Sequence, residues 1–195
     1  VEEILRYHVK PELKCTLETV GPEGELQTDT TAGRVVNPGH DIECSWFLME
    51  QAQITQDDTL FAQAVQIFDY AIHAGWDKEY GGLLYFIDCL GCPPEAYEHD
   101  MKLWWPQCEA MIALRLAGEL FGEEKYRTYY ERLLAYTQEY FVDREDGEWY
   151  GYLHYDNTVS TTLKGNIFKG PFHIPRLHML MAVLDRDGKI DAFMQ

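Results

Sequence analysis

Three short stretches of this chain gather residue types that can move protons and hold polyhydroxylated molecules. The first is Asn37-Pro-Gly-His40-Asp-Ile-Glu43-Cys-Ser-Trp46. His40, Glu43 and Trp46 stand three apart, so on a helix they follow one face. His40 falls in the first turn, where the positive end of the helix dipole disfavours an imidazolium. A neutral imidazole near pH 7 accepts a proton, and Glu43 one turn on can orient the ring or bind a hydroxyl. The plainer reading is a buried histidine satisfied by a carboxylate, with Trp46 in the core.

The second stretch is Lys102-Leu-Trp104-Trp105-Pro-Gln-Cys-Glu109. Trp105 and Glu109 stand four apart, and an indole face beside a carboxylate suits a sugar, whose C–H faces stack while its hydroxyls bond oxygen. The competing reading is two core tryptophans and a surface glutamate. Adjacent Trp104 and Trp105 cannot point the same way, so one of them is expected in the core. The third stretch, Phe168-Lys-Gly-Pro-Phe-His173-Ile-Pro-Arg176, sets His173 in a loop just ahead of a helix.

The elements that must position these groups repeat. Pro38, Pro106 and Pro175 lie 68 and 69 residues apart, and each opens an apolar-periodic stretch: 38–52, 106–121 and 175–184. Proline is favoured at the first helical position, and Asn37 is a good N-cap. Segments 57–74 and 123–141 carry apolar residues at spacings of three and four, which predicts a second, outer set of helices. After each comes Asp-x3-Gly and an aromatic-rich extended piece, at Asp77–Ile87 and Asp143–Leu153, with a fainter version at Pro22–Leu26. Val1–Leu17 is expected to add another outer helix. The period of about 67 residues predicts an all-α fold of helix pairs, a toroid or solenoid with short β-hairpins in its loops. About six helices form an open arc, so the chain reads as a single partial domain over residues 1–195. The three stretches share one place in the repeat and therefore one rim. His40 and His173, two repeats apart, can face each other across a cavity, as proton transfer to both faces of one carbon requires.

Composition narrows the classes. Sixteen Lys and Arg against 33 Asp and Glu give a net charge of −17, which argues against nucleic acid and anionic membrane surfaces. No apolar run approaches the ~20 residues of a membrane span. Five scattered cysteines suit a reducing, cytoplasmic compartment. Cys89 and Cys92 have knuckle spacing but no second pair, so turn cysteines are expected and no metal site. His8, His73, His99, His154 and His178 belong to no constellation. Phosphate-binding glycine loops, Gly-x-Ser-x-Gly and His-Glu-x-x-His are absent from the sequence.

The stretches named above, with His73-Ala-Gly-Trp-Asp77 and Gly147-Glu-Trp-Tyr-Gly-Tyr-Leu153, resemble the N-acylglucosamine 2-epimerases, the family that includes the animal renin-binding proteins. The resemblance implies an (α/α)6 barrel of which this chain is the C-terminal half. It also implies inversion at C2 of an open-chain sugar, most simply N-acetylglucosamine with N-acetylmannosamine. By the same resemblance His40 and His173 are the catalytic pair, and Glu43, Trp46, Trp105, Glu109 and Arg176 are substrate-binding. An arginine and another histidine that relatives supply from their first half have no counterpart here. No cofactor is implied, although members of this branch respond to nucleotide. A sugar is the expected partner, with a homodimer as the expected assembly. Rival readings are an aldose–ketose isomerase or cellobiose or mannose epimerase of the same barrel, and a non-catalytic renin-binding-type protein. Last comes a glycoside hydrolase using Glu43 and Glu109.

Overall fold

The structure is a computed structural model that describes residues 1–187; residues 188–195 of the expected domain lie outside the described residues. Helix starts follow from capping. Asn37 accepts the His40 amide at 3.2 Å and opens α1 (Pro38–Thr55). The Asp57 carboxylate takes the amides of Thr59 and Leu60 at 3.0 and 2.9 Å and opens α2 (Asp58–Gly75). Helix α3 (Trp104–Phe121) ends on Gly122, whose φ of 66° is left-handed, a conformation glycine adopts without strain. Helix α4 (Glu124–Tyr140) and α5 (His173–Asp187) complete the set of five among the described residues.

Helix α3 is the centre of the arc and touches α1, α4 and α5. Its residues Ala110, Ile112, Ala113, Leu114, Leu116 and Ala117 are all within 1% of full burial. A helix apolar on every side must be covered on every side. Helices α2 and α4 instead bury one stripe, with Phe68 and Tyr126 meeting edge to face.

Six two-residue strands form three antiparallel pairs, β1 (Val9–Lys10) with β2 (Cys15–Thr16), β3 (Val35–Val36) with β4 (Ile87–Asp88), and β5 (Lys102–Leu103) with β6 (Tyr152–Leu153). In the last two pairs the strand before an inner helix bonds to the chain leaving the following outer helix. These ladders tie the N-terminal ends of α1 and α3 to the hairpins and build the rim that carries the site. Each hairpin also has a lysine on its Asp-x3-Gly aspartate. Lys102 reaches Asp77 at 2.6 Å, Tyr155 O at 2.5 Å and Asn157 Oδ1 at 2.9 Å, with no exposed side-chain surface. Lys164 reaches Asp143 at 2.5 Å from a quarter-exposed position.

Three expectations change. Segment 1–17 is no helix beyond a π-helical turn at Ile4–His8, because Pro11 holds Lys10 extended and cannot donate to a helix; a turn through left-handed Lys14 (φ 52°) returns the chain as β2. Pro22–Leu26 is a turn closed by Gly24 N–H to Gly21 O, with no strand behind it. Pro106 and Pro175 occupy the third helical position, where the missing N–H still has no intrahelical acceptor to lose. His173 therefore begins α5 rather than ending a loop.

Candidate active site

The first turns of α1, α3 and α5 converge on one cavity of about 590 Å³, lined by His40, Glu43, Tyr85, Trp105, Tyr152 and His173 among others. Trp105 lies against both imidazoles, with ring centroids 5.0 Å from His40 and 5.7 Å from His173. Gly39 makes this approach feasible: a Cβ there would stand 2.5 Å from the Trp105 ring. Both indoles of the Trp104–Trp105 pair are buried and both reach His173, Trp104 at 6.2 Å. Neither is confined to the core away from the cavity, because the two side chains straddle the start of α3.

His173 Nδ1 lies 2.7 Å from Glu109 Oε1. A carboxylate only accepts, so Nδ1–H is the donor and Nε2 points away from Glu109. Glu109 has no exposed surface and also accepts from Trp46 Nε1 at 2.9 Å and Arg176 Nη2 at 2.6 Å. The same Arg176 nitrogen donates to Glu43 at 2.8 Å. Burial works against the Arg176 charge, but the bonds to Glu43 and Glu109 outweigh it and hold its pKa above the ordinary value. Oxygens of Glu43 and Glu109 with a nitrogen of His173 lie within 4.8 Å of one another, an arrangement that attracts a cation, and the guanidinium donates to both carboxylates there.

Several sequence expectations are redistributed. Glu109 is not placed to bind sugar; it orients His173 from behind. Trp46, 4% exposed, holds Glu109 and, with Arg176, lines a separate apolar groove of about 390 Å³ beside Phe172 and Met179. The reason is register: residues 43 and 46 drift around α1, so Glu43 stays in the cavity while Trp46 turns toward α5. Arg176 packs over the Trp46 and Phe172 rings at 5.2 and 4.4 Å. Glu43 does not orient His40. A hydrolase pair of Glu43 and Glu109 does not fit either, since Glu109 is sealed and its bound oxygens face three donors.

His40 is where sequence reasoning missed a residue. Its Nδ1 bonds Glu18, from the segment between β2 and β3, and this bond, opposed by burial, raises the imidazole pKa rather than leaving it lowered by the helix end. Glu18 sits in Leu17-Glu18-Thr19, where no periodicity or motif marks it. Tyr85 and Tyr152 were equally silent, being aromatic residues of extended pieces. Among the described residues Cys89 and Cys92 are free thiols, with Cys92 exposed.

The N-acylglucosamine 2-epimerase (GlcNAc 2-epimerase) family matches residues 11–173. The N-acylglucosamine 2-epimerase of Bos taurus is 42% identical over 170 residues, covering 87% of this chain and 40% of that protein. That of Homo sapiens is 38% identical, covering 92% of this chain and 43% of its own length. The chain thus spans about two-fifths of the curated relatives it matches. A solved cellobiose 2-epimerase from Bacillus thermoamylovorans aligns at a TM-score of 0.74 and 24% identity over 93% of this chain and 45% of that one. A solved D-mannose isomerase aligns at 0.68 and 25% identity, over 76% and 37%. The arc of helix pairs is accordingly about half of an (α/α)6 barrel, and the chain belongs to the N-acylglucosamine 2-epimerase family.

Proposed function

We propose that this chain carries the proton-transfer residues of a sugar 2-epimerase that interconverts N-acetylglucosamine and N-acetylmannosamine. The observation that carries the reading is the pair of imidazoles on one cavity, each in contact with Trp105 and each with Nδ1 engaged by a carboxylate. That leaves two Nε2 atoms for one carbon. The sugar opens to its aldehyde and lies on Trp105. One histidine takes the C2 proton, the electron pair moves toward O1 as an enediolate, and the other returns a proton to the opposite face. The charge on O1 needs a donor, which the family resemblance assigns to an arginine in the part of the relatives this chain does not span. Both transfers use side chains alone, and no step calls on a cofactor; nucleotide activation is a separate proposal. The acidic cavity wall and net charge of −17 support a neutral sugar rather than a nucleic acid. Among the described residues no helix is long and apolar enough to cross a membrane. The free cysteines support a cytoplasmic setting, and a homodimer stays part of the proposal.

Incubating the natural protein with either N-acyl sugar in heavy water tests the reading. Deuterium at C2 of recovered sugar, in both epimers, is the expected result. Sugar that binds but gains no deuterium would leave a binding protein instead. The likeness to D-mannose isomerase favours one alternative, return of the proton at C1. That would label C1 of a ketose product.

A further inference from the structure

We propose that Glu18 is a positioning residue that holds His40 as an imidazolium in the sugar-free enzyme, so that His40 begins the cycle as proton donor. This rests on the epimerase reading above. The geometry is a direct bond between Glu18 Oε1 and His40 Nδ1, made from a segment outside all five helices. It fixes the ring and turns Nε2 away from Glu18.

The other histidine also has a carboxylate, yet the electrostatics differ. The charge of Glu109 is shared with the Arg176 guanidinium at 2.6 Å and the Trp46 indole at 2.9 Å. Glu18 has no cationic partner among the described residues except His40. An unshared carboxylate bonded to an imidazole favours the charged ring. The groups facing His40 are Glu18 from the inter-strand segment, Glu43 from α1 and uncharged Trp105 from α3; Asp41, behind on α1, faces Glu18. Glu18 favours protonation of the ring most, and Glu43, already engaged by Arg176, adds to it in the same direction. The shifts agree in direction. The bond to Glu18 raises the His40 pKa against the effect of burial, and the bond to His40 lowers that of Glu18.

The step is balanced. The Nε2–H bond of His40 breaks as a C–H bond forms at C2 from the enediolate electron pair. His40 ends neutral, its Nδ1–H still donated to the Glu18 carboxylate, while His173 holds the proton it removed.

A donor must be protonated, so rate is lost as pH rises through the His40 pKa. Glu18→Gln lowers that pKa and moves the alkaline limb of kcat/KM to lower pH. Above neutrality kcat falls about tenfold, a part of the 10²–10⁴ that proton transfer contributes, with KM little changed. Glu18→Asp, which keeps the charge, restores much of the limb. In parallel, the His40 ring is titrated by NMR in the sugar-free protein, its signal assigned by its absence from His40→Asn. A His40 titration unmoved by Glu18→Gln would overturn the proposal, whether or not the protein epimerises. A moved titration in a protein that places no deuterium at C2 would uphold the Glu18–His40 coupling and defeat the epimerase reading on which the donor role depends.

Discussion

His173 and His40 are two solutions to one problem, holding an imidazole by Nδ1 so that Nε2 can work. At His173 the carboxylate has no exposed surface and the ring is one-fifth exposed; at His40 both side chains are about half exposed. The buried station needs a third and fourth member, because a bare glutamate charge in that setting would be costly. Arg176 and Trp46 supply them. The open station needs none, since solvent screens it. Rigidity therefore comes from packing at one histidine and from a single bond at the other, and the two should respond differently when disturbed.

The largest effect is expected at the rings themselves. His40→Asn or His173→Asn should lower turnover by about 10² or more while the fold is kept, measured by steady-state kinetics beside circular dichroism. Near-normal epimerisation in either variant would remove that residue from the chemistry.

Glu109→Gln comes next and should strike stability and rate together. The amide offers one acceptor oxygen where three donors converge, and Arg176 loses half of its compensation. Breaking a buried pair in this way costs about 3–5 kcal/mol, read as a lower midpoint in urea, with kcat down by at least tenfold. Glu18→Gln should leave that midpoint nearly unchanged, which is the sharpest contrast between the stations.

Trp46→Phe tests the outer support alone. It removes one donor from Glu109 but keeps the ring that covers Arg176, so a loss of about 1 kcal/mol and a few-fold drop in kcat are expected. Sugar affinity unchanged in this variant fits a residue outside the cavity. A large rise in KM would return Trp46 to the sugar-binding surface.

What could be read from the chain alone follows the same division. Helix pairs, their 67-residue repeat and the shared rim were visible because periodicity, Asn37, Asp57 and the prolines are local signals. The convergence of His40, Trp105 and His173 followed from equivalent places in that repeat. Distances in sequence of 63 and 67 residues hid the rest: Trp46 to Glu109, and Glu109 to Arg176, are pairings that only packing of α1, α3 and α5 creates. A carboxylate four residues from an indole looked like a sugar site, but burial decides which way each points, and burial is set by neighbours. Glu18 was invisible for a different reason. Its segment has no period, and the helix expected over 1–17 from the repeat left no account of Pro11, the local signal that denies a helix there.

The central claim is that the two histidines serve opposite faces of one carbon. Each single Asn variant, incubated in heavy water with each C2 epimer separately, tests it most directly. The account predicts that His40→Asn exchanges the C2 proton of one epimer only, and that His173→Asn exchanges that of the other only, at a pH high enough to leave His40 neutral. Exchange of both epimers by both variants, at rates near the unaltered protein, would contradict it.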